Sequence, residues 1–445
     1  MMRTLAAVLL VALFPLPLVA QPPPIRLTLA DAIARGFDTS HRLAEVRARE
    51  QGALAAVRGA HLADRPIVTA SAGYLRTNHV TEFAFGQGSA RTVVYPDIPD
   101  NVVSRLSFQW PIYTSGRVDA LERAAAAEAQ AVGADIETTR ADLRLEIVRA
   151  YWAAATAREA VRVLEESTAR ADAQLRDARQ RFAVGLVPPN EVSSLEAQRS
   201  REQAQLIEAS NIRESTLVDL RRLIGADPET VIELADLLDQ AGASSASGAS
   251  GASGAGALVQ EALERRPERK ALNLRLDGVE ARQQAAMTAN KPTVAVGAGV
   301  DYANPNSRIF PRKGEWQESW DVSVNVSWAF LDFGRIKAQV AEVAATATAT
   351  RERIAEFDSV VAADIRQRLL DLDSSQAVVK AASDAVRSAA EARRVVGDRF
   401  AAGVATSTDV VVAQVAMLEA GLARTRSLAG VRLAEARLHR SLGRP

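Results

Sequence analysis

Four short stretches of the chain alternate apolar and polar side chains at period two, and around them the pattern changes to that of long helices. In the clearest, Trp320 to Phe330, the side chains of Trp320, Val322, Val324, Val326, Trp328 and Phe330 share one face and Asp321, Ser323, Asn325 and Ser327 the other. Val102 to Trp110 sets Val102, Leu106, Phe108 and Trp110 against Val103, Arg105, Ser107 and Gln109. Ile67 to Leu75 and Thr293 to Tyr302 alternate less cleanly, the latter with Val294, Val296, Ala298, Val300 and Tyr302 on one side. The pattern predicts two hairpins, at about 66–112 and 292–330. About ten residues per strand, tilted by ~45°, cover the ~25 Å apolar band of an outer-membrane barrel. Trp110, Trp320 and Trp328 stand at strand ends, where interfacial aromatic girdles form. A soluble sandwich with one wet face would alternate in the same way. Two hairpins far apart in sequence, each flanked by long helical patterns, do not make a sandwich core.

From Arg117 to Arg181, and again from Arg335 to Arg399, there is no Pro, and the lone Gly133 and Gly397 are tolerable in a helix interior. Each stretch would extend roughly 100 Å as a helix. Both end in a reversal, Arg181-Phe-Ala-Val-Gly-Leu-Val-Pro-Pro-Asn-Glu-Val192 and Arg399-Phe-Ala-Ala-Gly-Val-Ala-Thr-Ser-Thr-Asp-Val410. Gly185 and Gly403 are placed as C-caps, and Asn190, Ser407 or Thr408 as N-caps of returning helices at 190–224 and 407–442. Glu191 and Asp409 then lie at the positive ends of those helices. Val184, Leu186, Ala402 and Val404 are exposed apolar residues at the turns, as expected of a docking surface, although ordinary helix-hairpin chemistry also accounts for them.

The two halves repeat at a spacing of 218 residues. Trp110, Gly116, Arg117, Arg181, Phe182, Gly185, Leu220, Arg222 and Gly225 recur as Trp328, Gly334, Arg335, Arg399, Phe400, Gly403, Leu438, Arg440 and Gly443. A register fixed over more than a hundred residues implies paired helices of matched length, because each added residue displaces a helix end by about 1.5 Å. The repeats occupy 21–240 and 258–445, and a Gly/Ala/Ser tract at 241–257 reads as a flexible linker. Helical patterns at Leu29 to His61 and Leu258 to Ala289 lead to Arg65-Pro66 and Lys291-Pro292, at the entry of each hairpin. Here the spacing is 226, the difference being absorbed by a longer first hairpin loop between about Thr77 and Asn101.

The 445 residues carry 54 Lys+Arg and 54 Asp+Glu, so no basic excess favours nucleic acid. Aromatics make up only 5%, which argues for thin, Ala-rich helix packing rather than a thick core. Residues 1–20, with Arg3, an apolar run broken by Pro15 and Pro17, and Ala20, read as a secretory signal peptide. Cys is absent, which excludes disulfides, thiolate metal sites and a lipid on an N-terminal Cys. Beyond the signal no run of about 18 apolar residues offers a membrane helix, so membrane entry requires strands. No HExxH or phosphate loop is present, and the four His, at 41, 61, 79 and 439, are scattered. Neither an enzyme nor a cofactor or metal site is expected.

Four strands cannot close a membrane barrel, because open edges in lipid leave backbone groups unpaired. The chain must oligomerise; two copies would give eight strands and three would give twelve, wide enough for a passage. Trp110-Pro-Ile-Tyr-Thr-Ser-Gly-Arg117, Trp328-Ala-Phe-Leu-Asp-Phe-Gly-Arg335 and the two tip motifs, in duplicate at fixed spacing, resemble the TolC-like outer-membrane factor family. The resemblance covers nearly the whole mature chain. It implies a homotrimer in the outer membrane of a Gram-negative bacterium, with a membrane β-barrel of 12 strands shared by three chains and an all-α tunnel of long antiparallel coiled-coil helices in the periplasm. It further implies a passive exit duct of a tripartite efflux or type I secretion system, opened as the inner helices uncoil. By the same resemblance Val184, Gly185, Leu186, Ala402, Gly403 and Val404 would meet a periplasmic adaptor, and through it an inner-membrane pump. Asp409 and Phe400 match the acidic ring and the aromatic of a periplasmic constriction, but Val412 and Ala405 stand where a second acid and a basic residue would be. Gly116, Arg117, Gly334 and Arg335 form the strand-to-helix junctions. The alternative is a periplasmic or outer-membrane-attached coiled-coil structural or adhesion protein without a channel.

Overall fold

The computed structural model describes residues 25–238 and 252–444. The signal peptide at 1–20 and most of the Gly/Ala/Ser tract lie outside the described residues. In chain order the elements are β1 (Ile25–Leu27), α1 (Leu29–Thr39), α2 (His41–His61), β2 (Ile67–Arg76), β3 (Phe83–Phe85), β4 (Thr92–Tyr95) and β5 (Asp100–Tyr113). They continue with α3 (Arg117–Ala183), α4 (Pro189–Leu223), β6 (Ile232–Leu234), α5 (Ala252–Arg265) and α6 (Pro267–Met287). The last are β7 (Thr293–Asn304), β8 (Gln317–Ser327), α7 (Arg335–Ala401) and α8 (Ser407–Ser441). α3 and α7 both have 67 residues, and α4 and α8 both have 35.

The chain divides into two compact units. One comprises Met1–Ser40, Leu143–Ser245 and Leu372–Ala436, and the other His41–Asp142, Ala246–Asp371 and Arg437–Pro445. The first contains the C-terminal parts of α3 and α7, all of α4 and most of α8, with small cores such as Val161, Leu164, Ala209 and Leu418 in one layer and Leu175, Ala178 and Leu195 in another. Short layers of Leu, Val and Ala repeated along the helices replace a single thick core, as expected of side chains interlocking between close helices. The first unit also holds a parallel pair, β1 with β6, in register from Ile25↔Ile232 to Leu27↔Leu234.

The second unit carries an antiparallel sheet of order β2-β5-β7-β8. Pro111 sits at a shift in the β5–β7 register, where its missing N–H is tolerated. Charged pairs bind the helices of this unit to one another: Arg269 forks onto Asp358 at 2.7 and 3.0 Å, and Arg266 joins Asp364 at 2.8 Å and the Ser441 carbonyl at 2.6 Å. Bidentate or half-buried Arg–carboxylate pairs of this kind hold more firmly than exposed ones.

Several expectations require correction. Helix α5 begins at Ala252, inside the tract expected to be linker as far as 257, because Ala-rich sequence has high helix propensity despite its glycines. The helical patterns leading to the hairpins are each broken, at Ser40 and at Arg266 before Pro267, whose ring ends the preceding helix. Strand β8 stops at Ser327, leaving Trp328 and Phe330 beyond it. Its partner ladder ends at Thr293↔Ser327, next to Pro292, which has no N–H to donate. The first hairpin loop also contains its own small hairpin, β3–β4.

Candidate functional site

Three places carry the functional reading: the faces of the sheet, the junctions beneath it and the helix-hairpin tips. The strand register aligns the side chains face by face. Leu106, Phe108 and Trp110 of β5 pair with Val300, Ala298 and Val296 of β7, which pair with Trp320, Val322 and Val324 of β8. This face is bare: Trp320, Val322, Val324 and Val326 are 66–75% exposed. The opposite face is polar. There Thr69 and Ser107 share a hydrogen bond of 2.7 Å, and Arg105 bridges Asp301 at 2.7 Å and Asp321 at 3.0 Å. Among the described residues β2 and β8 have one strand partner each, so both outer edges of the sheet are open. A sheet with a bare aliphatic face, a polar face and two open edges has the make-up of an incomplete barrel wall.

At the junctions the chain leaves the sheet through a left-handed residue pair in both repeats, Ser115–Gly116 with φ of 54° and 79° and Phe333–Gly334 with φ of 53° and 93°. Arg117 and Arg335 then open α3 and α7. Just above, the Trp110 indole donates to the Asp64 carbonyl at 2.9 Å and Trp328 to that of Asn290 at 2.8 Å. These bonds tie the strand ends to the chain entering each hairpin. The Asp332 carboxylate caps α7 by accepting from the N–H groups of Ile336 at 2.6 Å and Gly334 at 3.1 Å, and those bonds hold its pKa below the usual carboxylate range.

Both long helices end in the same reversal. The N–H of Leu186 reaches the Arg181 carbonyl and that of Gly185 the Phe182 carbonyl, each at 2.9 Å; Val404 to Arg399 and Gly403 to Phe400 repeat this at 2.8 and 3.0 Å. This paired bonding requires a left-handed residue, and Gly185 and Gly403 supply it with φ of 76° and 73°. Val184, Leu186 and Val404 stand 70%, 74% and 67% exposed beside them. The entries to the returning helices differ from expectation. Asn190 does not cap α4, which starts at Pro189 with no side-chain cap. Thr406, rather than Ser407 or Thr408, caps α8: its hydroxyl accepts from the Asp409 N–H at 3.3 Å, and Asp409 Oδ2 accepts from the Thr406 N–H and hydroxyl, both at 2.8 Å. These bonds, the backbone one first, lower the Asp409 pKa. Phe400 lies under the Arg181 guanidinium, 5.4 Å from ring centroid to Cζ, so a cation contact spans the two hairpins of one chain.

Sequence reasoning missed the parallel pair and its anchor. Tyr151 is fully buried, with its hydroxyl 2.8 Å from Asp236 Oδ2 and 3.1 Å from the Leu27 carbonyl, and burial raises its pKa. Arg158 donates to the Leu234 carbonyl at 2.6 Å. Three-residue strands give no periodic signal. A Tyr within an otherwise Ala-rich helical stripe was the one available clue.

The outer membrane efflux protein profile matches residues 37–226 and 258–444, one segment for each repeat. The chain belongs to that family. It is an outer-membrane protein of the efflux-channel type, and its fold is that of TolC-like channel subunits. It is similar to outer membrane protein TolC of Vibrio cholerae, 23% identical over 388 residues that make up 86% of this chain and 83% of TolC. It is also similar to protein CyaE of Bordetella pertussis, 29% identical over 238 residues, or 52% of this chain; the match spans about half of CyaE, 47%. Among solved structures, VceC of Vibrio cholerae superposes with a TM-score of 0.76 at 20% identity, covering 93% of this chain and 96% of VceC. That likeness concerns the fold.

Proposed function

We propose that three copies of the chain close a 12-stranded barrel and that the resulting passage is the passive exit duct of a tripartite efflux or type I secretion system. The observation that carries this is the four-stranded sheet with a bare valine and tryptophan face and two open edges. Edges left unpaired in lipid cost several kcal/mol per backbone group, so neighbouring copies must pair with β2 and β8. Three sets of four strands leave a lumen, whereas two sets would be filled by their own side chains. The polar face of the sheet then lines the passage and the aliphatic face meets outer-membrane lipid.

In this reading the repeats at 21–240 and 258–445 are two similar wall segments, and Gly116, Arg117, Gly334 and Arg335 are where barrel gives way to helices. The exposed Val184, Gly185, Leu186, Ala402, Gly403 and Val404 are the contacts for a periplasmic adaptor, itself joined to an inner-membrane pump. Their exposure as small apolar side chains on rigid, glycine-capped turns supports the assignment. Asp409 and Phe400 belong to the periplasmic constriction. Asp409 acts first as a helix cap, and Phe400 is held by Arg181 rather than by a polar lock. No step of chemistry is assigned to the chain; energy and choice of cargo come from the partners.

The test is reconstitution. Purified full-length protein should run as a heat-modifiable trimer after extraction from outer membranes and should conduct ions in planar lipid bilayers. A monomer that stays soluble without detergent and gives no conductance would refute the proposal in favour of a coiled-coil structural protein.

A further inference from the structure

The polar face of the sheet is exposed or half-buried, except at one end. Along β7, Gly299, Asp301 and Ala303 are buried, while their neighbours Val300 and Tyr302 on the opposite face are half exposed. The Arg105 side chain lies over Gly299, and the chain that follows β7 reaches Asp301. Residues 305–312, the first part of the loop between β7 and β8, turn back onto the polar face, with Pro305 buried and Asn306 only 2% exposed, while Trp316 at the loop's end stacks on Tyr302 of the opposite face. Asn306 donates to the Gln317 carbonyl and the Ser319 hydroxyl, both at 3.0 Å, and accepts from the Arg308 N–H at 3.0 Å. Arg308 then reaches Asp321 at 2.7 Å and Asp301 at 3.5 Å, the same two carboxylates that Arg105 holds from the other side. The four charges interleave, two cations with two anions, and bind the loop to the sheet.

Two further features support the arrangement. Gly299 lies beneath the Arg105 guanidinium, where a Cβ would collide with it, so the strand gives up a side chain to seat the ion pair. Arg312 ties this loop to the first hairpin, with its guanidinium 5.6 Å from the Tyr95 ring and hydrogen-bonded to Tyr95 Oη and Asn101 Oδ1, both at 3.3 Å. The loop lies at the end of the sheet away from Trp110, Trp328 and the helices of this unit. A loop that only joined two strands would need none of these bonds.

We propose that residues 305–312 fold into the lumen at the outer mouth and set the cross-section there, with Arg308 and Arg312 as the positioning residues, so that the barrel adds a size limit at this end, in series with the periplasmic constriction. This rests on the trimeric-barrel reading, which makes the polar face the lumen. Three copies bring three such loops around one axis, each held by an ion-pair cluster of which Asp301 is the buried member.

Single-channel conductance of the full-length trimer tests it, comparing wild type with the R308A/R312A double variant. Release of the loop should raise conductance roughly twofold and admit larger polymer probes. A variant that forms trimers and conducts like wild type overturns the inference and leaves the trimeric reading standing; a wild-type protein that forms no channel overturns the trimeric reading itself. Should the double variant not assemble, Phe310→Cys decides the matter, because the chain has no other Cys and Phe310 is 73% exposed. Thiol reagents of increasing size should then reduce the current stepwise, and an unchanged current overturns the proposal.

Discussion

The two hairpin tips close with the same backbone bonds and open with different chemistry. At both, a 67-residue helix ends on a left-handed glycine and a 35-residue helix returns. The first return is started by Pro188 and Pro189, whose rings fix φ and remove N–H groups that would lack partners. The second is started by the reciprocal Thr406–Asp409 box, which satisfies N–H groups with side-chain oxygens. Proline starts the first return without a capping acid, although Glu191 stands in its first turn, and the box starts the second with one. Phe182 is 46% exposed, whereas Phe400 at the matching position is partly covered and held by Arg181. Equal helix lengths are thus kept by the repeat, while the acid that caps a returning helix is confined to the second tip.

The comparison can be broken most severely at the shared element. Gly403→Val forces a β-branched side chain into a left-handed position and should cost about 1–2 kcal/mol of tip stability. Faster hydrogen exchange over 399–404, with 181–186 unchanged, is the expected result; equal exchange in variant and wild type would show that the reversal does not depend on this residue. Removing the cap comes next. Thr406→Ala should destabilise the start of α8 by about 1 kcal/mol, seen as loss of protection at the Asp409 and Val410 amides. Pro188→Ala should have a much smaller effect at α4, and equal losses at the two tips would contradict the proposed division of labour.

The cation contact is smaller again. A double-mutant cycle with Arg181→Gln and Phe400→Leu should give a coupling of about 0.5–1 kcal/mol in urea unfolding of the helical region, and additive effects would exclude it. The smallest effect is the pH response. Because hydrogen bonds depress the Asp409 pKa below its ordinary 3.8, its contribution is fully present above that value and is lost as pH falls through the lowered one. Protection at the second tip should therefore decline in this acid range while the first tip holds, and Asp409→Asn should remove the difference.

The strands and long helices were legible because their patterns run for ten residues or more, long enough for period two or 3.6 to emerge from a single sequence. The glycines at 185 and 403 were legible as well, since few other residues tolerate the conformation a tight helix reversal demands. The caps were misread by one or two positions: Ser407, Thr408 and Asn190 all have the chemistry, and which residue stands at the cap depends on where the helix begins. The β1–β6 pair, its Tyr151 anchor and the Arg105–Asp301–Asp321–Arg308 cluster left almost no trace, because each joins residues far apart in sequence.

What this sequence determined by itself was period, length and repeat: which stretches are strands, that the two halves match, and that one copy has too few strands to close a wall. Those properties are local, set by backbone sterics and by the alternation of apolar and polar side chains. Only the tertiary structure decided which polar side chains meet across strands, which loop folds back on the sheet and which threonine caps α8. The first two depend on distances between remote segments, which no local pattern encodes; the cap is a local contact, but three neighbouring hydroxyls, those of Thr406, Ser407 and Thr408, have the same chemistry.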